Sequence, residues 1–180
     1  MEIYTPITQE VIQNLHIGDT IYITGIIYTG RDQAHKKVTE MLENGEPLPF
    51  TLETNVIYYT GPSPTKPGDV VGSSGPTSGY RMDAYAEAFI DLGFNVMIGK
   101  GPRSDSFKSL LPIKRAIYLS AIGGAAALIS QTIKKSEIIA FPELGSEAIY
   151  RYEVERFPVV VTYDVHGKDL LTEGINKYKR

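Results

Sequence analysis

The sequence predicts an α/β domain in which strands and helices pack in layers. The chain of 180 residues is long enough for one domain with a substantial core, and its 42% apolar and 22% charged residues are ordinary for a globular protein. Segments rich in β-branched and aromatic residues are interleaved with segments of helical periodicity. Their order follows no strict βαβ repeat, which favours layers over a doubly wound parallel sheet. We therefore predict a single domain spanning residues 1–180.

The composition argues against several classes of partner and site. A formal net charge of −3 gives no general attraction to nucleic acid or to an anionic membrane. The chain has no cysteine, which excludes disulfides, thiolate metal sites and cysteine nucleophiles, and which fits an intracellular protein. Met1–Tyr4 lacks the basic start of a secretory signal, and the longest apolar stretch, residues 116–133, is interrupted by glycines and polar residues. We expect a soluble, cytoplasmic protein.

The first half of the chain contains four predicted elements. Thr8 is a suitable helix cap, and the β-branched and aromatic run that ends at Tyr28 is the clearest strand. Three prolines in residues 61–68 indicate a stiff loop. The elements in order are a helix over residues 8–15, a strand over 20–28, a helix from 31 to about 44 and a strand over 55–60.

The second half mixes helices and strands. Apolar residues at helical spacing follow Gly79, and Gly93 lies where a helix usually stops. Residues 147–155 alternate as an edge strand should, and the basic tail 177–180 is expected to be loose. The elements in order are a helix up to Gly93, a strand over 94–98, a helix over 104–115 interrupted by Pro112, a helix over 123–135, and strands over 138–142, 147–155 and 157–164.

The first candidate motif is the small-residue loop from Gly72 to Gly79, which leads into a helix. Free backbone N–H groups and the positive end of a helix dipole make such a junction an anion site. Thr77 and Arg81 are four residues apart and would share one face of a helical first turn. The alternative is a plain turn with a helix cap and a solvated Arg81. The loop is not a Walker motif, because no Gly-Lys-Ser/Thr follows at the required spacing.

The second motif begins the helix that follows Tyr28. The apolar face of this helix, extended back by one turn, contains Arg31 and His35, so both side chains are predicted to point inward toward a cleft or a partner. Two alternatives remain. His35 would be a core histidine bonded to a backbone carbonyl, and Arg31 would form a structural ion pair with Asp32 or a distant carboxylate.

The third motif is Lys100, which stands between two glycines at the end of a predicted strand. Flanking glycines let a ligand approach the backbone closely. The alternative is an exposed lysine in a turn.

In their order and spacing along the chain, the three motifs resemble the β subunit, or C-terminal domain, of the class I iron–sulfur fumarate hydratases and L-tartrate dehydratases. The resemblance extends from about residue 1 to about residue 170. One departure is minor: Ser78 stands where members of the family often have a second threonine, and it keeps the hydroxyl. The stretches that carry the resemblance are Gly30–Lys36, Gly75–Asp83 and Gly99–Gly101, with residues 123–126, 143–155 and 157–158 in support.

The resemblance implies a swivelling β/β/α three-layer domain and a hetero-oligomer with an α subunit. That partner would hold a 4Fe–4S cluster through three cysteines, so this chain would bind no metal. The resemblance also assigns the residues. Arg31, Thr77, Arg81 and Lys100 would bind the dicarboxylate substrate. Thr77 would also be the general base at C3, with Arg31 taking part in catalysis and with His35 and Asp32 in supporting catalytic roles. Convergent cations suit a dicarboxylate independently of the resemblance, because the guanidinium fork matches a carboxylate.

Three functions remain open at this point. The first is the β subunit of a hydro-lyase that converts fumarate to (S)-malate reversibly. The second is an L-tartrate dehydratase β subunit, which the motifs do not separate from the first. The third belongs to a different class: a non-catalytic anion-binding module without a partner enzyme. A neighbouring reading frame with three cluster-type cysteines would favour the enzyme, and a lone gene would favour the module.

Overall fold

The computed structural model describes residues 1–121 and 126–179. Within these residues the α-helices are α1 (Gln9–Asn14), α2 (Asp32–Glu43), α3 (Ala86–Leu92), α4 (Asp105–Lys114), α5 (Ala126–Thr132) and α6 (Leu170–Tyr178). The strands are β1 (Glu2–Tyr4), β2 (Thr20–Thr29), β3 (Val56–Tyr58), β4 (Val96–Gly99), β5 (Ile117–Ala121), β6 (Ile133–Ala140) and β7 (Ile149–Tyr163). Two 3₁₀ helices cover Gly79–Tyr85 and Pro142–Glu147.

The strands form one mixed sheet whose pairings close into a ring. Strands β2, β3, β4 and β5 are consecutive parallel neighbours. The long strand β7 runs antiparallel to both β5 and β2 and so joins the two ends of this series. Strand β1 extends β2 in parallel, and β6 pairs with β7. The predicted α/β class is confirmed, and the closed pairing agrees with the expectation against a doubly wound sheet.

Side chains alternate between two cores because successive residues of a strand point to opposite faces. In β2, Ile21, Ile23 and Ile27 belong to a core of strand residues and α1. Tyr28, the next residue, belongs to a second core between the sheet and helices α2, α3 and α4. Strand β3 repeats this division, with Tyr58 in the first core and Ile57 in the second. The fold is therefore held by two apolar layers that share the sheet.

The carboxyl ends of β2, β3 and β4 lie at one edge of the sheet, because these strands are parallel neighbours. Backbone hydrogen bonds continue beyond the strand ends: the Gly30 N–H donates to the Tyr58 carbonyl at 3.1 Å, and the Thr77 N–H donates to the Tyr59 carbonyl at 2.6 Å. The Lys100 N–H donates to the Thr77 carbonyl at 3.2 Å. All three sequence motifs therefore meet at this edge.

The predictions for the first half of the chain are confirmed, including Thr8 as the side-chain cap of α1. Strands β1 and β5 and helix α6 were not predicted, and the supposedly loose tail continues as helix up to Tyr178. The two predicted strands over 147–155 and 157–164 are one continuous strand, which passes Arg156 at a φ of 53°.

Three further boundaries differ from the sequence predictions. Helix α4 continues through Pro112, because a proline so close to the helix end removes only one hydrogen bond before Lys114. The predicted helix over 123–135 ends at Thr132, and its start lies outside the described residues. Residues 133–135 instead begin β6, which ends at Ala140. No helix in the described ranges is long and apolar enough to cross a lipid bilayer.

Candidate functional site

The start of α2 places Arg31 and is capped from a distant segment. Arg31 occupies the cap position in extended conformation, and its side chain makes no capping hydrogen bond. Glu147 supplies the missing acceptor: its Oε2 accepts from the Gln33 N–H at 3.1 Å, and its Oε1 lies 3.3 Å from Arg31 Nη2. A carboxylate at a helix start is favourable because the N–H groups and dipole there are positive. Glu147 thus fixes both the helix start and the Arg31 guanidinium.

Asp32 joins the two candidate arginines. Its Oδ1 accepts from Arg81 Nε at 2.9 Å, and its Oδ2 lies 3.9 Å from Arg31 Nε. The two Nη groups of Arg81 make no hydrogen bond within the described residues, and 41% of its side chain is exposed. Asp32 therefore holds two guanidinium groups close together and leaves one edge of Arg81 open to a ligand.

The backbones of Thr77 and Lys100 are joined by a hydrogen bond. The side chain of Lys100 is exposed and forms no hydrogen bond or ion pair with any residue that the structure describes. Thr77 is half-buried, and its hydroxyl likewise has no hydrogen-bond partner among those residues. A free hydroxyl and a free ammonium group thus lie on adjoining segments, next to the Arg81-bearing helix.

The prediction that a helix starts at Thr77 is wrong. The 3₁₀ helix begins at Gly79, with Ser78 as its cap, and becomes α-helical only at Ala86. Thr77 precedes the helix, so it shares no helical face with Arg81. Its N–H is already bonded to the Tyr59 carbonyl, and the Gly79 N–H donates to the Lys100 carbonyl at 2.8 Å. The N–H groups of Thr77 and Gly79 are therefore not available to bind an anion.

His35 points inward as predicted, but into the core. It is fully buried and stacks on Phe89 with ring centroids 4.0 Å apart. Its Nδ1 lies 2.9 Å from the Arg31 carbonyl. Burial, reinforced by the nearby Arg103 charge, lowers the pKa of His35 to about 4. The neutral ring therefore donates its Nδ1–H to that carbonyl, and His35 reaches the site only through the backbone of Arg31.

Sequence reasoning gave no role to three residues that the structure places around the site. Glu147 contacts Arg31 from a segment that the sequence pattern assigned to a strand, and no local signal links two residues so far apart in the chain. The buried Arg103 forms an ion pair with the partly exposed Asp83, next to the Thr77 and Lys100 segments. Asp83 ends the stretch Gly75–Asp83, in which it was given no function, and Arg103 lies three residues after Lys100.

The donor atoms of this chain do not fit an iron–sulfur cluster. Such clusters are held by cysteine thiolates, and the sequence contains no cysteine. In the described part of the chain, no group of three or more histidine, aspartate and glutamate residues is placed to hold a metal ion.

Comparison with known proteins gives a consistent set of similarities. A family model described as Fumarase C-terminus matches residues 1–174. The chain is 40% identical over 161 residues to Fumarate hydratase 2 of Leishmania major and 39% identical over 163 residues to the anaerobic class I fumarate hydratase of Escherichia coli. It is 38% identical over 180 residues to a putative L(+)-tartrate dehydratase subunit beta of Methanocaldococcus jannaschii.

The relatives differ in how much of their length the chain covers. The alignments include 88%, 89% and 97% of this chain, respectively. The chain spans 28% and 30% of the length of the two fumarate hydratases, but 92% of the tartrate dehydratase subunit. It therefore corresponds to one part of the longer proteins and to nearly all of a separate subunit.

Proposed function

The chain belongs to the Fumarase C-terminus family, and we propose that it is the β subunit of a cytoplasmic two-subunit hydro-lyase that hydrates fumarate reversibly to (S)-malate. The observation that carries this proposal is that the segments bearing Arg31, Thr77, Arg81 and Lys100 meet at the carboxyl edge of three parallel strands. Ligand sites in α/β proteins favour such edges. The near-full coverage of a relative named as a subunit beta supports a separate subunit.

The proposed partner is an α subunit that carries three cysteines and a 4Fe–4S cluster. The cysteine-free composition supports this division of labour, because a cluster needs donors that this chain lacks. We further propose that residues 1–180 form one swivelling β/β/α domain. The two apolar layers, one among the strands and one beneath the helices, support that description.

The residues of this chain bind the substrate and move one proton. Arg31, Arg81 and Lys100 would pair with the carboxylates of fumarate or malate, since convergent cations with a guanidinium fork suit a dicarboxylate. The Thr77 oxygen, as an alkoxide stabilised by the neighbouring cations, would take the C3 proton of malate; as the resulting hydroxyl it would return that proton during hydration. Asp32 and Glu147 orient the guanidinium groups, and His35 fixes the Arg31 backbone.

Dehydration of L-tartrate by the same residues is the second candidate. The specific observation in its favour is that the relative matched over nearly its whole length is named as a tartrate dehydratase subunit. Rates with fumarate, malate and tartrate, measured on the assembled enzyme, decide between the two substrates. A non-catalytic anion-binding module remains the outcome if none of the three is converted.

The isolated chain should stay colourless after anaerobic incubation with iron and sulfide. The reason is the lack of thiolate donors, together with only three histidines, His16, His35 and His166. The measurement is the visible absorption spectrum and iron content of the desalted protein. A stable cluster spectrum on this chain alone would overturn the proposed division between the subunits.

Replacing Arg81 with alanine in the assembled enzyme should lower kcat/KM for fumarate. The loss should correspond to roughly 1.5–3 kcal/mol, the usual contribution of a charged hydrogen bond. Arg81→Lys should also be impaired, because lysine cannot form the bidentate pair. Arg156→Lys is the matched control, since Arg156 is an exposed arginine paired with Glu2. Steady-state kinetics that leave Arg81→Ala close to the parent would remove Arg81 from the carboxylate site.

A further inference from the structure

Arg103 is a buried cation that the proposed function does not use. Its side chain has no exposed area, and its Nε pairs with Asp83 Oδ1. Its guanidinium carbon lies 3.3 Å from the ring centroid of Phe107 and 4.8 Å from that of Tyr118. Both of its Nη atoms are buried without a hydrogen-bond partner in the described residues. A buried charge with one carboxylate partner is costly, and apolar residues of similar size would often serve stability as well.

The Asp83–Arg103 pair connects the two segments that carry Arg81 and Lys100. Asp83 lies in the 3₁₀ helix, two residues after Arg81, and its Oδ2 also accepts from the Ser104 N–H at 2.8 Å. Arg103 lies three residues after Lys100, and its own N–H donates to the Tyr163 hydroxyl at 3.2 Å. These contacts fasten the segment after β4 to the helix and to β7.

Arg103 also touches the backbone between Thr77 and Arg81. A Cβ atom built on Gly79 would overlap the Tyr118 hydroxyl and would come within 2.7 Å of Arg103 Cδ. A Cβ on Gly99 would come within 2.7 Å of the same hydroxyl. Gly79 therefore lies directly against the Arg103 and Tyr118 side chains, and Gly99 lies against Tyr118. Arg103 therefore packs against the backbone that lies between Thr77 and Arg81.

We propose that Arg103 is a positioning residue, and that its ion pair with Asp83 sets the spacing between Arg81 and Lys100, and hence the fit of a dicarboxylate. This inference takes its dicarboxylate substrate from the proposed function. The effect of Arg103 on the backbone around Thr77 and Lys100 does not depend on that function. Its physical basis is geometric, since a misplacement of about 1 Å in a binding group can cost on the order of 10²-fold in rate.

The first test is steady-state kinetics of the assembled enzyme carrying R103K. Lysine keeps the charge, but it cannot bond Asp83 through Nε while stacking on Phe107. We expect KM for the dicarboxylate to rise by at least about 10-fold, on the scale of such misplacement. KM separates positioning from folding, because partial unfolding lowers the active fraction and kcat without changing the KM of the molecules that remain active. K114M, which removes an exposed ion pair with Asp91, is the control and should keep the parent KM.

The second test is hydrogen exchange on the isolated chain, and it needs no activity. The Gly79 and Lys100 amides, which join the Thr77 and Lys100 segments, should lose at least about 10-fold of their protection in R103K and keep it in K114M. D83N, which is nearly isosteric and keeps an acceptor for the Ser104 N–H, replaces R103K if that variant does not fold.

The two tests separate this proposal from the proposed function. If the parent enzyme converts no dicarboxylate, the function fails, and the exchange result alone decides the positioning role. A KM within twofold of the parent value, or unchanged protection of the two amides in both R103K and D83N, overturns the proposal.

Discussion

Replacing Thr77 with valine in the assembled enzyme should lower kcat by about 10²–10⁴-fold, the usual effect of removing a positioned base, or roughly 3–5.5 kcal/mol of barrier. A threonine hydroxyl is a poor base in water, so it needs surroundings that stabilise its alkoxide. Lys100, whose ammonium group is unpaired in the described structure, is bonded to the same backbone segment, and Arg81 lies four residues on. These cations, rather than a helix terminus, are the expected stabilising groups.

Valine and serine together separate the chemical role of Thr77 from a structural one. Valine has nearly the shape of threonine and suits the extended backbone, so folding, assembly and cluster content should be unchanged. Serine keeps the hydroxyl, so Thr77→Ser should lose much less activity. If the valine and serine variants were equally active and both close to the parent, Thr77 would be a structural residue only.

The stability of the chain should fall as the pH is lowered from about 6.5 to about 4, and His35 should be responsible for on the order of 3 kcal/mol of this loss. Burial lowers the folded-state pKa of His35 from 6.5 to about 4, so in this window the unfolded chain binds a proton that the folded chain does not. Stability is therefore full above the unfolded pKa and declines as the pH falls toward the folded one.

Urea unfolding of the parent and of His35→Asn at pH 7 and at pH 4 measures this effect. Asparagine keeps an N–H donor near the Arg31 carbonyl but does not titrate, so the variant should be less stable at pH 7 and should lose less on acidification. His166→Asn, at an exposed histidine, should retain the parent dependence on pH. An equal acid loss in the parent and in His35→Asn would contradict the assignment.

The sequence alone was sufficient to predict those elements whose structure is decided by local patterns. β-Branched and aromatic residues predicted β2, and helical spacing predicted α2 with His35 on its inner face. The Arg31 and Lys100 motifs could be placed at strand ends, and the parallel pairing of β2, β3 and β4 brings these ends to one edge. The Gly72–Gly79 loop could not be placed in this way, because it joins the edge through the hydrogen bond from Thr77 to Tyr59. The pattern could not decide how deeply the His35 side chain is buried, because a residue on the inner face of a helix can line a cleft or lie in the core. Packing against Phe89 places His35 in the core.

The errors arose where distant segments control local geometry. The Thr77 N–H pairs with Tyr59 across the sheet edge, which delays the helix start to Gly79. Glu147 caps α2 from a separate 3₁₀ helix, and neither local sequence indicates the other. Strand β1 has only three residues and depends on β2 for its pairing, so periodicity alone could not identify it.

The central claim is that this chain is the substrate-binding half of a two-subunit hydro-lyase. Its most direct test is turnover of fumarate, malate and tartrate by the purified chain and by the chain co-expressed anaerobically with an α subunit that carries three cluster cysteines. We predict no turnover by the chain alone and conversion of at least one dicarboxylate by the complex. Turnover by the chain alone, or a cluster-loaded complex that converts none of the three, would contradict the claim.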